Sequence, residues 1–173
     1  TQHVVPDESG ADALGLGRWS SMMLQGSDGI RTRIVVGYNP CSNNRPDSGT
    51  VYQQHRRFYI NKQSDLTCPR KRFLDDFGTQ LRKWRNDGER LIVALDANQH
   101  IYRGALGKML TDDEDLRLVE AVGSFTGRPL GATFFRGTAP IDGVWCSPDI
   151  QIVGASLMPV GYGIGDHRLF VVD

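Results

Sequence analysis

Apolar residues recur at strand spacing toward both ends of the chain and at helix spacing between them. Trp19 to Leu24 and Thr32 to Tyr38 read as two strands, joined through Gln25-Gly26-Ser27-Asp28-Gly29, whose glycines supply the positive φ angles of a tight hairpin. The second run, Arg33-Ile34-Val35-Val36-Gly37-Tyr38, is β-branched and nearly continuous, the pattern of a strand covered on both faces. Asn39 to Gly49 is polar with two prolines and reads as a surface loop. Thr50 can cap a helix running to about Asn61. A second helix opens at Pro69, a residue favoured at the first helical position because its missing N–H would be orphaned there. Phe73, Phe77, Leu81 and Trp84 then form one apolar stripe, read as core packing, and Asn86-Asp87-Gly88 closes the helix. Leu91 to Leu95 is a short buried strand running into Asp96. A mixed helical region over 104–122 follows, then strand-like segments near 132–135, 141–147, 151–159 and 169–172. Residues 1–17 are rich in Pro, Gly and Asp and read as a leader or loop. Strands at both ends with helices between them predict an α/β sandwich rather than regular βαβ alternation.

Composition bounds this picture without changing it. A chain of 173 residues holds one domain with a real core. No apolar stretch approaches the ~20 residues of a membrane helix, so no membrane partner is expected. The N-terminus lacks the basic and apolar regions of a secretion signal. Three cysteines without Cys-x-x-Cys spacing argue against a disulfide framework or structural zinc, and an intracellular setting, nuclear or cytoplasmic, is expected. Cys146, in an apolar run, reads as a small core residue. Net charge is zero, but residues 56–90 hold ten Lys/Arg against five Asp/Glu. That stretch is either a solvated helical face or a phosphate-contacting flank.

Reactive side chains concentrate in four short pieces. Leu95-Asp96-Ala97-Asn98 follows a hydrophobic strand, where a rigid element can present an acceptor and a donor to one phosphate; the same pair also suits plain turn chemistry. Pro140-Ile141-Asp142-Gly143-Val144-Trp145 sets one carboxylate among apolar residues, which demands a partner. Gly163-Ile164-Gly165-Asp166-His167-Arg168 offers one: with Asp142 on one ring nitrogen of His167, the other nitrogen can face a phosphate. Tyr38-Asn39-Pro40 leaves a phenol at the end of a strand, as a rim residue or a phosphate ligand.

Order and spacing of these pieces resemble the endonuclease/exonuclease/phosphatase superfamily of exonuclease III-like and DNase I-like enzymes. Tyr38-Asn39-Pro40 resembles its tyrosine loop, Leu95-Asp96-Ala97-Asn98 its Gly-Asp-x-Asn motif with Leu for Gly, Ile141-Asp142 its Ile-Asp-Tyr motif, and Gly165-Asp166-His167 its Ser-Asp-His motif with Gly for Ser. The wording around Tyr38-Asn39-Pro40-Cys41, Arg136-Gly137-Thr138 and Gly165-Asp166-His167-Arg168 is most similar to endonuclease domains of LINE-type retrotransposons. The resemblance spans residues 18–173 and implies the C-terminal portion of a four-layered α/β sandwich, two mostly antiparallel sheets flanked by helices. It implies Mg²⁺ or Mn²⁺ as cofactor and DNA as partner. Asp96 would position or deprotonate water, Asn98 and His167 would bind phosphate oxygens, and Tyr38 would hydrogen-bond the phosphate. Asp142 would orient His167; Asp166 and Asp96 would hold the metal. Arg56, Arg57, Arg136 and Arg168 are the expected nucleic-acid contacts. Either Asp96 or His167 could be the general base.

The family's first strands carry a glutamate that is its principal metal ligand. Before Trp19 this chain has only Asp7, Glu8 and Asp12 as acidic residues, without a strand pattern, and it opens without Met. The resemblance therefore leads one to expect that the first part of the domain is absent. Metal binding would then be weak, and the uncovered sheet would need an N-terminal segment or second chain to complete it. A phosphatase acting on lipid or small-molecule phosphates and a catalytically silent nucleic-acid- or protein-binding fragment are the alternatives to a nicking endonuclease.

Overall fold

A computed structural model describes residues 9–27, 29–163 and 165–173, and for Ser9 and Gln63 the backbone alone. The elements in chain order are β1 (Ser9–Ala11), β2 (Trp19–Gln25), β3 (Arg31–Tyr38), α1 (Val51–Gln63), α2 (Pro69–Asn86), β4 (Arg90–Asp96), α3 (Ala105–Asp112), β5 (Val119–Glu120), α4 (Ala121–Thr126), β6 (Asp142–Cys146), β7 (Ala155–Leu157) and β8 (Phe170–Val172). Six strands form one sheet in the order β1-β2-β3-β4-β6-β5, and β7 and β8 form a separate antiparallel pair. Among the described strands of the larger sheet only β3 and β4 run parallel. A parallel pair needs a long crossover, and α1 and α2 supply it.

Strand alternation sorts the sheet into two unlike faces. The register sets Trp19 beside Gly37 and Leu95, and Ser21 beside Val35, Val93 and Trp145. These side chains are buried on the face carrying α2, whose stripe of Phe73, Phe77, Leu81 and Trp84 is buried as expected. The Trp19 ring lies edge-on to Phe73 at 6.1 Å and tilted to Phe77 at 5.4 Å. The Arg33 guanidinium sits 4.7 Å above Trp84 and is held in the core by Glu89. A Cβ added at Gly107, in α3, would strike the Ile101 carbonyl, so only glycine fits this close approach. Gly107→Ala is expected to destabilise the fold by about 2–3 kcal/mol by overpacking, although alanine favours a helix. Urea denaturation checks the sign.

The other face is open. Met22, Val36 and Tyr38 are 48%, 56% and 36% exposed there. The expectation that β3 is covered on both faces is thus corrected: its burial alternates, because among the described residues helices pack on one side only. The segment read as a leader or loop contains β1, paired with β2 over Ser9–Ala11; residues 1–8 and Asp28 in the hairpin turn lie outside the described residues. The helical region over 104–122 divides into α3, β5 and the start of α4. Near 132–135 the expected strand is reduced to one bridge, Phe134 to His167. Helices α1 and α2 fall where their caps placed them, and Cys146 is 1% exposed with its thiol pushed up to about 11 by burial. No helix among the described residues is long and apolar enough to cross a membrane.

Part of the basic excess over 56–90 is committed to ion pairs. Arg72 pairs with Asp65, Arg82 with Asp113, Arg90 with Asp149, and Arg33 reaches Glu89 from the neighbouring strand. The solvated, ion-paired face accounts for these residues.

Candidate active site

Parity places the site. Tyr38, Asp96 and Asp142 end or begin three adjacent strands and stand directly beside one another: Tyr38 opposite Asp96 across the parallel pair, Asp96 opposite Asp142 across the antiparallel one. All three occupy the face away from the helices. His167 completes the row from the loop before β8. Its Nδ1 lies 3.0 and 2.9 Å from the two Asp142 oxygens, the carboxylate–imidazole pair expected from sequence. With Nδ1–H donating to Asp142, Nε2 faces outward toward Asp166, 3.9 Å away. Asp96, Asp142 and His167 bring one ligand atom each within 4.8 Å of one another.

Two residues not singled out in the sequence hold this arrangement. Thr133 is fully buried, and its Oγ1 accepts from the Ile141 and Asp142 backbone N–H groups at 2.9 and 3.1 Å. The Thr133 carbonyl accepts from Arg168 N, and the next residue, Phe134, sets its ring 5.1 Å from His167. The strand-like pattern at 132–135 was their signal.

Electrostatics separate the titratable groups. Burial, and then the adjacent Asp142 carboxylate, lift the Asp96 carboxyl to about 6, against the pull of Asn98 and His167. Burial alone would lower His167, but the Asp142 carboxylate outweighs it and raises the imidazole above its ordinary value, with Asp96 and Asp166 adding to the effect. Asp166, its side chain 65% exposed, lies at the solvent edge of the row.

Asn98 sits at φ +46°, a left-handed conformation asparagine tolerates, with its N–H on Asp96 Oδ1 at 3.0 Å. Its Nδ2 donates to Asn39 O at 2.9 Å, which ties the loop after β3 to the loop after β4. Of the four arginines expected to contact nucleic acid, Arg56 is exposed on α1, and Arg136 is exposed beside Phe135. Arg57 donates to Pro46 O and Ser48 O and braces the loop after β3. Arg168 is a clamp: its guanidinium donates to the carbonyls of Met158, Leu157 and Ala132.

The residues fit a hard divalent cation. The structure gathers Asp96, Asp142 and His167, with no cysteine and with Asp142 occupied by His167, while Asp166, also expected to hold the metal, stands outside this group, 3.9 Å from His167 Nε2. No glutamate joins the cluster among the described residues.

The chain has a mixed α/β fold that it shares with solved structures. No protein-family profile and no curated protein matches the sequence. A 3′ phosphatase from Neisseria, NExo, solved as a point variant bound to a product DNA hairpin, superposes with a TM-score of 0.65 at 13% identity over 98% of this chain and 71% of that one. The human Nocturnin catalytic domain with bound sulfate superposes with a TM-score of 0.57 at 17% identity over 90% of this chain and 53% of that one. The chain therefore spans about half the length of the Nocturnin domain and shares the fold of both.

Proposed function

We propose that the chain is the catalytic portion of a divalent-metal-dependent phosphodiesterase acting on DNA, in the manner of a mobile-element nicking endonuclease and with membership of the endonuclease/exonuclease/phosphatase superfamily. The observation that carries this reading is the row Tyr38, Asp96, Asp142 across three strand ends, closed by an imidazole whose Nδ1 is fixed on Asp142. The motif resemblance supports it, as does the fold shared with a DNA-bound 3′ phosphatase.

Asp96 and Asp166 would hold Mg²⁺ or Mn²⁺, which when bound neutralises charge on the phosphate. His167 is kept upright by Asp142 and presents Nε2 to a phosphate oxygen. Its raised pKa keeps a larger share of it protonated near neutral pH, which suits donation to the developing oxyanion. Asp96, whose carboxyl lies at about 6 in the metal-free chain, would be placed to accept the proton of the attacking water. Tyr38, one-third exposed at the row's end, can donate to the phosphate.

The test is nicking of supercoiled plasmid, and release of phosphate from a 3′-phosphorylated oligonucleotide, in Mg²⁺ or Mn²⁺. Asp142→Asn should lower kcat roughly 10²–10⁴-fold, because the amide cannot hold the imidazolium, with KM little changed. Equal turnover by Asp142→Asn, or by His167→Ala, would sink the assignment. Faster turnover of inositol phosphates than of DNA would transfer it to a phosphatase.

A second reading rests on the donor set. With no glutamate in the cluster among the described residues, the chain by itself would bind nucleic acid without cleaving it. Absence of turnover even at high Mg²⁺, alongside salt-dependent DNA binding, would select it.

A further inference from the structure

Asn39 follows β3 directly and bonds to each residue of the 96–98 loop. Its N–H donates to Asp96 O at 2.9 Å, its O accepts from Asn98 Nδ2 at 2.9 Å, and its Nδ2 donates to Ala97 O at 2.8 Å. The first two bonds use the Asn39 backbone, which most residues could supply. The third needs a side-chain donor.

That donor is costly to keep. Asn39 is 1% exposed, and among the described residues its Oδ1 has no hydrogen-bond partner. Turning the amide over would set this oxygen against the Ala97 carbonyl, so the Nδ2 contact fixes the orientation. A buried amide with one end unmet is less stable than an apolar side chain filling the same space. Departures of this kind are expected where placement matters more than stability.

The Ala97 carbonyl and the Asn98 N–H belong to one peptide group, and in a trans peptide they point in opposite directions. Asn39 grips the carbonyl end; the N–H end donates to Asp96 Oδ1 at 3.0 Å. Holding one end therefore aims the other at the carboxylate. The peptide leads into Asn98 at φ +46°, so a released plane has a less strained conformation to fall into. Arg70, in the first turn of α2, supports the same carbonyl from 3.5 Å and holds Pro40 O at 3.0 Å.

We propose that Asn39 is a positioning residue: through the Ala97–Asn98 peptide it sets the direction of the Asp96 carboxylate and the place of the Asn98 side chain. The proposal rests on the reading of Asp96 and Asn98 as parts of a hydrolytic site. Asn39 itself, buried behind their loop, touches no substrate.

Asn39→Leu keeps both backbone bonds and removes the donor together with the unmet oxygen, so its urea midpoint should stay close to the parent's. In the metal-free chain, NMR-detected exchange of the Asn98 N–H should speed up at least about tenfold, with the Leu91 and Val93 amides of β4 unchanged. Arg70→Met withdraws the longer bond to the same carbonyl and should accelerate Asn98 by less. In the nicking assay Asn39→Leu should lower kcat roughly 10–100-fold with KM within about twofold. A sharply lowered urea midpoint would make Asn39 merely structural and overturn the proposal. So would unchanged exchange at Asn98, equal acceleration at Leu91 and Val93, a larger effect from Arg70→Met, or an undiminished kcat. If the parent cleaves nothing, the hydrolytic reading falls, and exchange at Asn98 alone decides whether Asn39 positions the loop.

Discussion

Asp96→Asn should cut metal-dependent hydrolysis by roughly 10³-fold and, in the metal-free chain, raise stability at pH 7 by about 1–2 kcal/mol. Both effects have one cause. Asp96 and Asp142 face each other across adjacent strands, and burial compounds their repulsion, which lifts the Asp96 carboxyl to about 6. A carboxyl whose folded pKa lies above its unfolded value binds more protons in the native state, so stability falls as pH rises from about 4 to about 6 and stays reduced above. A shift of about two units corresponds to at most about 3 kcal/mol, discounted here because Asp96 keeps some access to water. Asparagine keeps the oxygen that accepts from Asn98 and removes the charge. Urea denaturation of both proteins from pH 4 to 8 is the measurement: the advantage of Asp96→Asn should vanish as pH falls toward 4. Mg²⁺ should stabilise the parent and not the variant. A parent that is the more stable of the two at pH 7 without metal would refute the account of Asp96.

The largest stability loss is expected from Arg18→Met, about 3–5 kcal/mol. Arg18 is 1% exposed; its Nε and Nη2 each lie 2.7 Å from an Asp12 oxygen, and Nη1 lies 2.7 Å from Asp76 and 3.0 Å from the Tyr59 hydroxyl. The guanidinium also covers the Trp19 ring at 4.5 Å. Methionine fills much of the volume but strands Asp12, whose side chain is 1% exposed, without a counter-charge. Arg18→Met with Asp12→Leu should recover a good part of the loss, because the buried charge then disappears with its partner. Denaturation midpoints of the single and double variants decide this. A single variant within about 1 kcal/mol of the parent would show that the network contributes like a surface pair.

Elements were legible where one signal acted alone. The α2 stripe needed only helical period, and Pro69 and Gly88 marked its ends. That Asp142 would meet His167 was legible because a buried carboxylate requires a partner, and the motif resemblance set Asp96 with them. Tertiary context decided the rest. Arg168 looked like a phosphate ligand because arginine often is, yet three backbone carbonyls hold it. Asp12 sat in a stretch without periodicity, and only the fold shows that Arg18 anchors it beneath α2. Val36 belongs to a run too apolar to reveal that one of its sides is open.

The single parallel pairing also sets an order of assembly. Tyr38 and Asp96 become neighbours only when β4 docks on β3 after both crossover helices have formed, and Asp142 and His167 join from later still in the sequence. Contacts this distant carry a large loop-closure entropy, so they consolidate after the local β2–β3 hairpin and α2. A chain emerging from the ribosome would hold its hairpin and helices before Asp142 and His167 could join Tyr38 and Asp96.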